Sequence, residues 1–147
     1  MALTEKKGRS YGENHADLQE EIRDYSKRNG YPAERFADAR CENCGATTFS
    51  ILLDDAAGCA QRTCVTCKNE HFIGDSKQYA DEAELGECAC PCGTETFEAS
   101  AGVHLYEGSA DVKWFYLGLR CTACGLVAVY GDWKNEFEGY EGLLAQV

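Results

Sequence analysis

Four pairs of closely spaced cysteines constrain this chain more than any other feature. They are Cys41-Glu42-Asn43-Cys44, Cys64-Val65-Thr66-Cys67, Cys90-Pro91-Cys92 and Cys121-Thr122-Ala123-Cys124. Two residues between cysteines let a tight turn aim both sulfurs at one ion, while backbone N–H groups donate to the thiolates. A glycine just after the second cysteine, as at Gly45, Gly93 and Gly125, permits the left-handed turn this needs. Two such turns brought together by a sheet complete a tetrahedron, so the pairs read as two four-sulfur sets.

The pairs belong to an internal repeat. Cys44-Gly45-Ala46-Thr47-Thr48-Phe49 aligns with Cys92-Gly93-Thr94-Glu95-Thr96-Phe97, and Arg62-Thr63-Cys64-Val65-Thr66-Cys67 with Leu119-Arg120-Cys121-Thr122-Ala123-Cys124. Ile73-Gly74-Asp75-Ser76 and Tyr130-Gly131-Asp132-Trp133 also correspond. A repeat is a stronger statement than either motif alone. These residues resemble the zinc-ribbon, or rubredoxin-like, four-cysteine knuckle family, over about residues 40 to 75 and 88 to 132. The resemblance implies two zinc ions held by Cys41, Cys44, Cys64 and Cys67 and by Cys90, Cys92, Cys121 and Cys124, with iron as the other occupant four thiolates accept. The second copy departs from the pattern because Ala89 stands where the first ligand would align. Cys90 is favoured there, since proline directly after it suits the first turn position, and Cys88 is the reserve. Four protein thiolates leave no open coordination position, so zinc held this way is structural.

The 147 residues carry ten cysteines, which in an oxidising compartment would read as a disulfide framework. The polar start, Met1 to Gly8, has no apolar core of signal-peptide length, and nothing later has the length of a membrane span. The expectation is a cytoplasmic protein with reduced thiols. Residues 1 to 40 hold eight basic and eight acidic side chains, and residues 41 to 147 hold six and seventeen, which accounts for the net charge of −11. A surface of that sign repels phosphate backbones and favours a basic protein partner over nucleic acid.

The expected fold is α+β, mostly β: two tandem zinc ribbons with an N-terminal helix packed on them. Residues 1 to 39 read as a tail and an amphipathic helix, 40 to 76 as the first ribbon, 77 to 87 as a short helical linker, and 88 to 147 as the second ribbon with a long hairpin. Leu18, Ile22 and Tyr25 recur at helical spacing between Asn14, a cap, and Gly30, a stop. Residues 1 to about 12 read as a mobile tail, and Glu34 to Ala39 as one further helical turn. Thr47 to Leu53, Cys59 to Cys64 and His71 to Ile73 read as three strands. Asp75-Ser76 reads as the cap of an acidic helix reaching about Leu85. Phe97 to Tyr106 and Val112 to Arg120 are apolar on both faces and are expected to be covered on both, by the helix and by the first ribbon. Leu126 to Tyr130 closes the second copy, Gly131 to Lys134 turns the chain, and Tyr140 to Val147 docks as a helical turn.

Three function classes compete. An acidic, zinc-stabilised interaction or regulatory module ranks first, nucleic-acid binding second, and an enzyme using Cys59, His71 and Asp55 third. Cys59 is a spare thiol near Arg62, His71 follows the second knuckle, and no catalytic signature joins them. Trp114, Phe115 and Tyr116 are a base-stacking platform only if exposed beside cations, and core packing is the better reading. Asp132-Trp133-Lys134 is either a recognition patch or the plug that seals the second ribbon.

Overall fold

The computed structural model describes residues 3–135 and 139–147. Its first elements are β1 (Thr4–Lys6) and β2 (Arg9–Tyr11), which pair with each other. The expected mobile tail is therefore a hairpin from Thr4 onward. Lys7 and Gly8, with φ of 52° and 77°, supply the two left-handed positions of a tight hairpin turn.

Helix α1 (His15–Asn29) follows, with the Asn14 side chain accepting the Asp17 N–H and Gly30 stopping it at φ 90°. Both ends match the sequence reading. The segment after it is a strand, β3 (Arg35–Asp38), and the helical turn expected over Glu34 to Ala39 does not form. Its backbone groups find partners on another strand, which local propensity could not reveal.

The first copy forms β4 (Phe49–Asp54), β5 (Cys59–Cys64) and β6 (Glu70–Phe72). A 3-10 turn over Ser76–Tyr79 replaces the longer acidic helix. Asp75 makes no side-chain cap bond there, and its carboxylate instead accepts from Asn135 Nδ2 at 3.0 Å. Then come β7 (Gly86–Glu87), β8 (Phe97–Leu105), β9 (Val112–Cys121), β10 (Leu126–Lys134) and a short α2 (Tyr140–Leu144). The turn expected at Gly131 to Lys134 is absent, because β10 runs on through a bulge between Val129 and Gly131.

Among the described residues one antiparallel sheet runs through both copies, in the order β1-β2-β10-β9-β8-β4-β5-β6, with β3 added to β8 and β7 added to β4. The copies meet where Phe49 pairs with Phe97. The segment leading into each copy also pairs with the other copy. Ala39 N–H donates to Ala99 O at 2.8 Å, and Cys88 N–H donates to Ile51 O at 2.9 Å. The described chain is thus mostly β, in one sheet.

The β8–β9 hairpin is covered on both faces. Leu18 and Ile22 of α1 pack with Tyr116 and Val127 on one. The helix comes close because Gly102 and Gly118 lie beneath it, where a Cβ on either would stand 2.8 Å from Ile22. On the other face Val103, Phe115, Leu117 and Leu119 share a core with Ile51 and Ala60 of the first copy, Ile73, and Leu143 of α2.

Candidate metal centres

Each four-cysteine set converges at the base of a hairpin. Cys41 and Cys44 precede β4 while Cys64 ends β5, with Cys67 just beyond it. Cys90 and Cys92 precede β8 while Cys121 ends β9, with Cys124 just beyond it. The four sulfurs of each set lie within 4.8 Å of one another, which makes both clusters able to hold a metal ion.

The sulfur spacing suits a tetrahedral ion. Zinc–sulfur bonds of about 2.3 Å place sulfurs about 3.8 Å apart at the corners of a tetrahedron. Cys41 and Cys67 are 3.6 Å apart and Cys44 and Cys64 3.5 Å. In the second set Cys90 and Cys124 are 3.5 Å apart, and Cys92 and Cys121 3.6 Å. All ten cysteines are free thiols, so the donor set is intact.

The turns themselves are built for this. The residue after the second cysteine has positive φ in all four: Gly45 (79°), Lys68 (66°), Gly93 (96°) and Gly125 (80°). Cys41 N–H donates to Ala46 O and Cys64 N–H to Asn69 O, whereas Cys90 N–H reaches only to Thr94 O. The missing residue between Cys90 and Cys92 is absorbed by a turn one residue tighter. Ala123 and Cys124 N–H groups each lie 3.4 Å from Cys121 Sγ and donate to it.

At one cysteine of each set local groups favour the metal-binding thiolate form, while the neighbouring sulfurs and burial raise Cys44 and Cys90. The Asn43 side chain and the Asn69 backbone bring the Cys67 thiol down to about 6. Thr94, through its hydroxyl at 3.2 Å and its backbone, brings Cys92 down to about 6. The sequence reading missed both roles: Thr94 stands two residues from Cys92, where a side-chain bond to sulfur is local, whereas Asn43 acts on the distant Cys67 and left no local signal.

The two remaining cysteines lie outside both sets. Cys88 is buried, and burial pushes its thiol up to about 11. In the exchanged-strand arrangement it occupies the place that Ala39 has in the first copy, two residues before the first cysteine. Cys59 is fully buried, its S–H donates to Ser76 O at 3.3 Å, and burial raises its thiol.

Cys59, His71 and Asp55 each bond to a different backbone group. Cys59 faces Asp54 across the β4–β5 ladder, while His71 faces Arg62 across β5–β6. His71 Nε2 is 2.7 Å from Gln146 O, and Asp55 Oδ1 accepts from Asp132 N–H at 2.8 Å. The stacking platform is also spent. Phe115 and Tyr116 are buried, and Trp114 stacks on Tyr31 at 5.0 Å. Trp133 stacks on Phe115 at 5.2 Å and covers Gly58, so it plugs the end of the first hairpin.

Arg62, which the sequence reading treated only as a neighbour of Cys59, is a buried tether of the first centre. Its Nε donates to Val147 O at 2.8 Å, its Nη2 contacts Arg40 O and Glu42, and its guanidinium lies 4.7 Å from the Phe49 ring centre.

The chain matches no family model, no curated protein and no solved structure. No described helix is long and apolar enough to cross a membrane.

Proposed function

We propose that this chain is a duplicated zinc-ribbon protein whose metals are structural and whose acidic body serves as a protein-interaction or regulatory module. Cys41, Cys44, Cys64 and Cys67 hold one zinc ion, and Cys90, Cys92, Cys121 and Cys124 hold the other. The observation that carries the reading is the convergence of all four sulfurs in both copies of the repeat. An ion bound there supplies cross-linking of the turns and no catalytic site, because every coordination position is a cysteine.

The interaction role is supported by what remains once the metals are assigned. Cys59, His71 and Asp55 each bond to a different backbone group, and Phe115 and Tyr116 are buried. The seventeen carboxylates of residues 41 to 147 favour a basic protein partner, and eight metal-binding thiolates suit a reducing, cytoplasmic setting.

Elemental analysis of purified protein tests the metal half, and two zinc ions per chain are expected. Capture of partners at low and high salt tests the interaction half. A partner retained at low salt and released at high salt supports it, whereas oligonucleotide shifts with a steep salt slope would replace it with nucleic-acid binding. One ion per chain, or iron, would overturn the duplicated zinc assignment.

A further inference from the structure

We propose that the two metal centres load as a coupled pair, an ion at either one raising the affinity of the other. The inference rests on the reading of both tetrads as metal sites and goes beyond it. Two ribbons joined by a linker would bind independently. Here the approach to each centre is hydrogen-bonded to a strand of the other copy.

The exchange sits directly before the ligands. Ala39, two residues before Cys41, gives its N–H to Ala99 on β8 of the second copy. Cys88, two residues before Cys90, gives its N–H to Ile51 on β4 of the first. Ile51 and Ala99 are themselves each two residues past the aromatic that follows their own turn, Phe49 or Phe97. The approach to each first turn is thus held by a strand that the opposite centre anchors.

The second link is lateral. Cys64 pairs with Phe49, Phe49 with Phe97, and Phe97 with Cys121, so one row across β5, β4, β8 and β9 joins a ligand of each centre through two phenylalanines. Both rings are buried, at 0% and 1% exposure. Metal binding to a ribbon is coupled to its folding, so an ion that orders β8 also orders the support of Cys41, and an ion that orders β4 does the same for Cys90. Such coupling is reciprocal: each ion changes the affinity of the other by the same factor.

The test is zinc titration of the apoprotein against a competing chromophoric chelator, with the zero-, one- and two-zinc forms counted by native mass spectrometry. The expected result is a one-zinc form depleted well below the roughly half of the population that independent, equal sites give at half saturation. The paired variants Cys41→Ser/Cys44→Ser and Cys121→Ser/Cys124→Ser each leave one tetrad intact. Each remaining site should bind zinc about tenfold or more weakly than in the intact protein, by a similar factor in both directions. Remaining sites that keep their affinity within about twofold would overturn the coupling while leaving the zinc assignment standing. A wild-type protein that takes up no zinc, or only one ion, would remove both. The wild-type counts need no variant to fold, so a misfolded mutant does not decide the matter.

Discussion

Lys68 is the one knuckle residue whose chemistry disagrees with its backbone. It follows Cys67 with φ 66°, the position that glycine fills in the other three turns. A left-handed backbone costs an ordinary residue about 1–2 kcal/mol, part of which glycine returns through its greater freedom when unfolded. Lys68→Gly is therefore expected to stabilise the loaded protein by about 0.5–1 kcal/mol, read as a higher melting temperature. A lower one would show that the Lys68 Nζ bond to Val65 O, at 3.1 Å, outweighs the strain. Cys88 and Cys90 make a second contrast at this scale. Cys88→Ala should leave the zinc count unchanged, because its buried thiol lies outside the sulfur cluster, and Cys90→Ser should remove one ion. Zinc analysis showing the reverse would reassign the ligand.

At the scale of elements, α1 shows how much a good local signal carries. Asn14, Leu18, Ile22 and Gly30 mark its ends and its buried face in the sequence, and the structure uses each in that way. Its seat was not legible, since nothing local says that Gly102 and Gly118, far apart in sequence, come together under Ile22. Ile22→Ala should cost about 2–4 kcal/mol in denaturant unfolding, because α1 and two glycine-bearing strands cannot collapse to fill the space. A loss well under about 1 kcal/mol would mean that the helix rides loosely on the sheet. The strands β1, β2 and β3 were read otherwise for one reason. They are too short for a periodic signal, and β2 and β3 join the main sheet only by pairing with distant strands.

At the scale of the whole molecule, the contact between α1 and β10 shapes its response to alkali. Tyr25 Oη donates to Asp132 Oδ1 at 3.0 Å. Burial first, then that bond and the nearby charges of Asp132, Asp55 and the Tyr116 phenol, push its phenol up from the ordinary 10.0 to about 12. A group whose folded value is raised stabilises the fold fully below its unfolded value, so this contribution is intact under about pH 10 and is lost as pH climbs toward 12. Wild type should accordingly lose more melting temperature between those limits than Tyr25→Phe does, and parallel curves would contradict it. The cysteine spacing and the repeat marked on their own the residues that could meet around an ion, save the choice between Cys88 and Cys90, because a knuckle is a local turn and its ligands lie within four residues of each other. Helical spacing and caps marked α1, and runs of apolar and β-branched residues marked the hairpin of each copy. Only the tertiary structure decided that the copies share one sheet, exchange β3 and β7, and bury Cys59 and Cys88 away from both centres. Those outcomes depend on which distant strand satisfies a backbone N–H, and hydrogen-bond partners far apart in sequence leave no local trace.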